Sequence, residues 1–261
     1  MRKNGKIFVF GTKAEGIDRF CNIIKKLNMN LEIFSFHICE LNKFAVEAQD
    51  SESKYIVLIR NPALRSFEMW KIMLCEGFEW IDDFELALAR EQTRFYGAEH
   101  RRLYASIYDF LYWHSSLYSE RILSIKKNLG DKKFSENVLC LILDEFKNEN
   151  QLVKTLHSFL SLNSESNIKF EFNISHLKIV KKKIPYNSKI QYVVRAILEE
   201  TRQKLRFEIP FLKFIMSMNI FFGKKIANHH WLVDFLKFAF RREVERLSEI
   251  LKKDLLKVWG I

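Results

Sequence analysis

A short apolar run that ends abruptly constrains the fold of this chain more than any other feature. Residues 55–59 read Tyr-Ile-Val-Leu-Ile, and Arg60, Asn61 and Pro62 follow directly. A continuous apolar run of this length is typical of a parallel strand that is buried on both faces. Proline is tolerated in the first turn of a helix. The segment therefore predicts a strand, a turn and a helix, which is the repeating pattern of an α/β fold.

Other segments extend this pattern along the chain. Residues 6–10 and 137–143 are also apolar runs, and residues 31–38 alternate as in a half-buried strand. Residues 17–27 have apolar side chains at helical spacing. Strands that alternate with helices predict a central, mostly parallel sheet that is covered on both faces. With 261 residues, of which 48% are hydrophobic, we expect a single domain, 1–261, with a full core.

Helices are predicted for most of the remaining chain. The segments with helical character are 62–75, 84–92, 99–128, 149–160, 190–205 and 231–253, the last as one helix or a broken pair. Residues 211–222 are predicted to be an irregular hydrophobic segment. Core packing is the expected role of that segment, and docking on a membrane or a partner is the alternative.

Composition narrows the function classes. No stretch reaches the roughly 20 apolar residues that a membrane-spanning helix needs, and the apolar run near the N-terminus is too short for a signal peptide, so we expect a cytoplasmic protein. The four cysteines are widely spaced and form no metal-binding pattern. The net charge of +11 suits an anionic cofactor, an acidic glycan or an anionic membrane surface. No nucleic-acid-binding motif accompanies it, so a nucleic-acid partner is not expected.

Two segments at predicted strand ends could hold an anion. Ligands of open α/β sheets bind where the strands end, and the guanidinium of Arg60 offers a fixed fork of donors there. The segment from Gly11 to Gly16 joins a predicted strand to a predicted helix. Such a turn can offer backbone N–H groups to a phosphate, and Lys13 could stabilise negative charge during group transfer. The alternatives are a surface arginine and a plain strand-to-helix turn.

The first of these segments resembles the 3′-phosphate-binding motif of sulfotransferases. That motif is a strand followed by Arg-(Asp/Asn)-Pro-x-x-Arg and a helix, and Arg60, Asn61, Pro62 and Arg65 match it. The family transfers sulfate from 3′-phosphoadenosine 5′-phosphosulfate (PAPS). The resemblance implies that Arg60 binds the 3′-phosphate. The family's second ligand is a serine, and Glu68 stands at that position here.

The second segment resembles the family's loop for the 5′-phosphosulfate, Gly-x-x-(Lys/Arg)-x-Gly-Thr-(Thr/Ser). The resemblance assigns cofactor binding to Gly11, Thr12, Lys13, Gly16 and Arg19. Lys13 lies one position earlier than the family's basic residue. Ile17 and Asp18 replace the two hydroxyl residues.

A glutamate that follows the second predicted strand is the candidate base. Carbohydrate sulfotransferases carry their catalytic glutamate in a Lys-Glu-x-x-(Phe/Tyr)-Phe-like segment, and Glu40 matches it, with Cys39 in place of the lysine. A carboxylate at that point could take the proton of an acceptor hydroxyl. A solvated glutamate that opens a helix is the alternative role, and His37 is the alternative base.

Weaker similarities continue in the family's order through much of the chain. They cover residues 80–91, 117–122, 138–146, 152–162, 172–187 and 240–255. The resemblance implies a helix-rich, P-loop-like three-layer α/β/α fold. It also places Lys182 and Lys183 in a loop that closes over the nucleotide.

The sequence thus predicts a PAPS-dependent enzyme that resembles bacterial carbohydrate sulfotransferases and needs no metal. We expect the acceptor to be a hydroxyl of a glycan or glycolipid. The aromatic residues of 96–113 could stack on a sugar, but core or groove packing is the more common role of tyrosines at this spacing. A peripheral membrane contact is a further candidate. A sulfotransferase-fold binding or scaffold protein without catalysis is the second hypothesis, because Ile17, Asp18 and Glu68 replace phosphate ligands. A P-loop-like kinase ranks last, because its Gly-x-x-x-x-Gly-Lys-(Ser/Thr) motif is absent.

Overall fold

The computed structural model describes residues 6–27, 31–41, 53–96, 106–146, 148–161, 183–205, 210–225 and 230–261. The strands are β1 Lys6–Gly11, β2 Glu32–His37, β3 Lys54–Ile59, β4 Val138–Ile142, β5 Lys183–Ile184 and β6 Lys224–Lys225. The helices are α1 Ile17–Leu27, α2 Pro62–Glu76, α3 Phe84–Ala89, α4 Glu91–Phe95, α5 Ser119–Asn137, α6 Glu149–Leu160, α7 Ser188–Leu205, α8 Pro210–Phe221, α9 His230–Ala239, α10 Arg241–Leu251 and α11 Leu255–Trp259.

Two compact units make up the chain. The first consists of Met1–Pro62, Leu117–Ile179 and Lys237–Ile261, and the second of Ala63–Ser116 and Val180–Leu236. Each unit is built from segments that are distant in sequence. A single domain over residues 1–261 stays a prediction.

The first unit contains a four-stranded sheet in the order β2-β1-β3-β4. Every neighbouring pair in this sheet is parallel, as predicted. Gly11 at the end of β1 lies beside His37 at the end of β2, and Ile59 lies beside Ile142 in the same way. The carboxyl ends of all four strands therefore meet at one edge, where ligands of open α/β sheets bind.

The two central strands of this sheet, β1 and β3, are buried on both faces over most of their length, whereas the edge strand β2 is largely exposed. Alternate strand residues, among them Val9 and Leu58, join α1 and α6 in one apolar cluster. Their sequence neighbours Phe10, Val57 and Ile59 point to the opposite face and are also fully buried. The buried central strands confirm the expected helix-rich α/β class with a central parallel sheet.

The second unit is held together by aromatic packing and by polar contacts of buried side chains. The ring of Trp70 in α2 lies against Phe67 and Phe84, and its Nε1 donates to the carbonyl of Ile81 at 2.9 Å. Gln191 in α7 is fully buried and donates from Nε2 to the carbonyl of Cys75 at 2.8 Å. These contacts join α2 to α7 although the two helices are far apart in sequence.

One secondary-structure prediction was wrong in part, and another was wrong. The helical region predicted over 99–128, as one helix or two, falls partly outside the described residues. Residues 119–128 are helical as predicted, in α5, but the described residues before them form 3₁₀ turns at Ile107–Phe110 and His114–Ser116. The Oγ atoms of Ser115 and Ser116 donate to backbone carbonyls, which competes with an α-helix. The segment expected to be irregular at 211–222 is mostly the helix α8, which starts at a proline, a residue that suits the first helical position.

Candidate functional site at the carboxyl edge of the sheet

The loop between β1 and α1 is a tight capped turn. The Oγ1 atom of Thr12 accepts a hydrogen bond from the backbone N–H of Ala14 at 3.2 Å. The 3₁₀ turn Lys13–Glu15 ends at Gly16, whose φ of 71° lies in the left-handed region. Glycine adopts that conformation at little cost, which explains why this residue type stands between the turn and α1.

A buried carboxylate occupies donors of this loop. Glu15 is fully buried, and its Oε2 accepts from the backbone N–H of Thr12 at 2.8 Å and from the Oγ1–H of the same residue. The hydroxyl of Tyr118 donates to the other carboxylate oxygen at 2.8 Å. The carboxylate of Glu15 therefore occupies donors of the loop that could otherwise bind an anionic ligand.

The next N–H groups of the loop also have partners inside it. The N–H groups of Glu15 and Ile17 donate to the carbonyl of Thr12 at 3.1 and 3.3 Å, and that of Gly16 donates to the carbonyl of Lys13 at 3.0 Å. A phosphate cradle depends on backbone N–H groups that point at the ligand. In this conformation most N–H groups of the loop already have partners within it, so some of these bonds would have to break before the groups could bind an anion.

The substituted loop positions point in different directions. Ile17, which replaces a family hydroxyl residue, is buried in the apolar cluster of α1 with Phe20. Asp18 and Arg19 are exposed on the outer side of α1, and Lys13 is half-buried. Asp18 therefore has the solvation of a surface carboxylate.

Arg60 lies at the tip of β3 and joins it to the loop. Its side chain is almost fully buried, and Nη1 donates to the carbonyl of Ala14 at 2.7 Å. Its Nε lies 4.0 Å from Oδ1 of Asp144, just after β4. Oδ2 of Asp144 accepts from the backbone N–H of Asn61 at 2.9 Å and from Nε1 of Trp259 at 3.1 Å. The guanidinium is thus built into the sheet edge and is not a surface arginine.

The candidate base Glu40 ends a 3₁₀ turn, Ile38–Glu40, that directly follows β2. Its Oε2 accepts from the backbone N–H of His37 at 3.0 Å, and Nδ1 of His37 accepts from the N–H of Cys39 at 3.1 Å. Glu40 is half-buried. Because β1 and β2 are neighbours, the turns that carry Lys13 and Glu40 follow adjacent strand ends.

The remaining predicted residues belong to the second unit or fall outside the described residues. Glu68 belongs to the second unit, is buried, and pairs through Oε1 with Nζ of Lys71 at 2.6 Å. Lys183 belongs to the same unit and donates from Nζ to the carbonyl of Phe221 at 2.8 Å. Lys182 lies outside the described residues.

The aromatic residues that could stack on a sugar divide into buried and accessible groups. Tyr112 is fully buried and donates to Glu79 at 2.8 Å, so it is a core residue of the second unit. Tyr96, Trp113 and other residues line a cavity of about 470 Å³ in that unit. The cavity wall includes the carboxyl of Glu91, whose pKa is raised by burial although the N–H groups of Trp113 and His114 donate to it.

Four residues at the sheet edge were not predicted from the sequence, namely Glu15, Tyr118, Asp144 and Trp259. The first had a local signal, because a Thr-x-x-Glu segment before a helix is a capping box. The other three reach the site from distant parts of the chain and leave no signal at short spacing.

Within the described ranges, no group of three or more His, Cys, Asp or Glu side chains could hold a metal ion. The helices of that part of the chain are all too short or too polar to cross a membrane.

Comparison with known proteins gave one structural similarity. No family model matches this chain, and no curated protein matches it. Among solved structures, a sulfotransferase from Alicyclobacillus acidocaldarius is similar with a TM-score of 0.42 and 15% sequence identity. The similarity covers 75% of this chain and 73% of the other.

Proposed function

We propose that this protein is a sulfotransferase that uses PAPS and acts on a hydroxyl of a glycan or glycolipid. One observation carries the proposal. The hydrogen bond from Arg60 to the carbonyl of Ala14 joins the segment that resembles the 3′-phosphate motif to the segment that resembles the 5′-phosphosulfate loop. Two motifs that are distant in sequence thus meet at the sheet edge where a ligand is expected.

The residues at this edge fit an anionic donor in part. Lys13 and Arg60 supply positive charge, and α1 begins directly behind the loop. The carboxylate of Glu15 opposes a second anion at the same donors. PAPS supplies an activated sulfuryl group, and the protein has to bind it despite this carboxylate.

Each proposed catalytic role follows from side-chain chemistry. Glu40 takes the proton of the acceptor hydroxyl as that oxygen forms its bond to sulfur. Lys13 stabilises the negative charge that develops on the phosphate oxygen as the bond between this oxygen and sulfur breaks. Arg60 adds positive charge and fixes the loop to β3.

A second candidate function is a binding or scaffold role without catalysis. The occupied donors of the loop favour it, because Thr12, Ala14, Glu15, Gly16 and Ile17 all donate within the loop itself. In that case the sheet edge would keep its shape without binding a nucleotide.

Calorimetry with adenosine 3′,5′-bisphosphate, the product nucleotide, separates the two functions. We expect micromolar binding by the wild type and by Arg246→Ala, an exposed arginine of the same unit that serves as the matched control. Binding should be lost in Arg60→Ala and weakened in Arg60→Lys, which keeps the charge but not the fork. Circular dichroism of each variant shows whether it is folded. No binding by the wild type at millimolar nucleotide would contradict the PAPS proposal and favour the second function.

A further inference from the structure

Helix α8 carries an exposed aromatic face. None of its residues is buried, and Phe211, Phe214 and Phe221 are 66%, 58% and 67% exposed. Phe222, directly after the helix, is 63% exposed. With 3.6 residues per turn, these four side chains fall within an arc of about 100°. We name them the phenylalanine stripe.

Contacts on another side of α8 fix the direction of this stripe. Nδ2 of Asn219 donates to the carbonyl of Asn187 and to Oε1 of Gln191, both at 2.9 Å. The backbone N–H of Asn187 donates in return to Oδ1 of Asn219 at 3.0 Å. The helix is thus anchored to the start of α7 through Asn219, and the exposed fractions of the four phenylalanines show that the stripe faces solvent.

Most charged residues near the stripe in sequence are positive, although Glu208 lies three positions before Phe211. Residues 210–225 include Lys213, Lys224 and Lys225 and contain no Asp or Glu. Lys213 and Lys224 are exposed, and Nζ of Lys183 is held 2.8 Å from the carbonyl of Phe221. The exposed aromatics of α9 differ, because the acidic Asp234 precedes Phe235 there.

The exposure of several aromatic side chains on one helix face is unfavourable in water. Each phenylalanine offers roughly 150–250 Å² of surface, and apolar patches of several hundred Å² on a protein surface mark sites for partners or membranes. A helix with lysines on its polar face and aromatic residues on the opposite face lies in the plane of a membrane surface. Each lysine near anionic lipid adds electrostatic attraction that salt weakens.

We propose that α8 docks this protein on an anionic membrane surface, with the phenylalanine stripe in the boundary between headgroups and acyl chains. The charge pattern favours this occupant, because the lysines of residues 210–225 complement anionic lipid. The proposal goes beyond the sulfotransferase function and is independent of it, because docking requires no nucleotide.

Vesicle flotation tests the proposal on the full chain. The vesicles contain phosphatidylcholine alone or phosphatidylcholine mixed with phosphatidylserine. The test variant is Phe211→Ser with Phe214→Ser. The matched control is Phe95→Ser with Tyr96→Ser, which removes two aromatics that are 52% and 84% exposed on and directly after α4. All these side chains are exposed, so thermal unfolding should be nearly unchanged in both variants.

We expect the wild type and the control to float with the mixed vesicles and the test variant to bind at least about tenfold more weakly, as loss of two inserted aromatics predicts. Lys213→Glu with Lys224→Glu should weaken binding to the mixed vesicles, and added salt should do the same. The proposal is overturned if the wild type does not float with the mixed vesicles or if both aromatic variants bind equally. It is also overturned if the wild type self-associates in sedimentation without vesicle binding and the test variant is a monomer, since the stripe is then an interface between copies.

Discussion

The hydroxyl of Tyr118 donates a hydrogen bond to Oε1 of Glu15 at 2.8 Å, although the two residues are 103 positions apart in sequence. Both side chains are fully buried. The bond holds the carboxylate against the first donors of the loop from outside the loop itself. The candidate anion site therefore already contains the carboxylate of Glu15. Binding of an anionic ligand there depends on how firmly Tyr118 holds this carboxylate in place.

Removal of this charge should strengthen nucleotide binding. In Glu15→Gln the side chain keeps its shape and its oxygen can still accept from the N–H of Thr12, but it no longer repels a phosphate. We expect adenosine 3′,5′-bisphosphate to bind about tenfold more tightly, equivalent to about 1.4 kcal/mol. Calorimetry measures the change.

The control for this prediction is Asp18→Asn, which removes a nearby exposed charge and should leave the affinity almost unchanged. Tyr118→Phe should act in the same direction as Glu15→Gln but less strongly, because it frees one carboxylate oxygen and keeps the charge. Weaker binding by Glu15→Gln would show that this carboxylate supports the ligand-binding form of the loop.

Replacement of the candidate base should separate chemistry from binding. In Glu40→Gln the amide oxygen can still accept from the N–H of His37, so we expect the turn after β2 to stay intact. A lost general base lowers the rate about 10²- to 10⁴-fold. Sulfate transfer from labelled PAPS should fall by this factor while nucleotide affinity is unchanged. If Glu40→Gln stays active and His37→Gln does not, His37 is the base.

The second unit depends on a buried ion pair. Nη2 of Arg94 lies 3.0 and 2.8 Å from the two carboxylate oxygens of Glu79, and Tyr112 donates to the same carboxylate. Arg94→Met should lower the free energy of unfolding by about 3–5 kcal/mol, because it leaves a buried charge without its partner. Tyr112→Phe should cost about 1–3 kcal/mol.

Urea unfolding measures both effects, with Arg90→Met as the exposed control in the same region. The double variant Glu79→Gln with Arg94→Met should lose less stability than the sum of its single changes, because it removes both charges. Strict additivity would argue against a coupled pair.

Stability should fall in alkaline solution, and the buried thiol of Cys21 should account for part of the loss. Burial raises the pKa of Cys21 from 9.0 to about 11, and the nearby carboxylate of Asp18 acts in the same direction. The folded state therefore keeps this proton while the unfolded state loses it above pH 9, so the thiol's contribution disappears as pH rises towards 11. The slope is on the order of 1 kcal/mol per pH unit.

Unfolding of wild type and Cys21→Ala at several pH values isolates this contribution. The alanine variant loses packing at every pH, but its stability should decline less steeply between pH 9 and 11. Equal slopes in the two proteins would contradict the prediction. Alkylation of Cys21 in the folded wild type should be slow at pH 8, because the thiolate is the reactive form.

Hydrophobic patterning predicted the sheet well for a physical reason. The runs 6–10, 55–59 and 137–143 are apolar on both faces, and such strands fit only the inside of a covered parallel sheet. Their structures, β1, β3 and β4, match the predictions to within one or two residues. The helix predicted for residues 17–27 is α1 with the same bounds.

Hydrophobic patterning predicted the candidate site less completely than the sheet. Sequence patterns placed Lys13, Glu40 and Arg60 after strands that share one edge, because strand ends follow from periodicity. The direction and partners of a side chain depend on residues that are distant in sequence, and Arg60 is fixed by Ala14 and Asp144. The 3₁₀ turns before α5 were mistaken for a helix because periodicity does not report the competition of Ser115 and Ser116 for backbone carbonyls.

The hydrogen bond from Trp259 to Asp144 has a consequence for biosynthesis. Oδ2 of Asp144 also accepts from the backbone N–H of Asn61, so one carboxylate oxygen joins the end of β3 to α11. During translation the four strands can pair long before residue 259 has been made. The contact between Trp259 and Asp144 can therefore form only late in synthesis, so a nascent chain would have the sheet before the edge that carries Arg60 is complete.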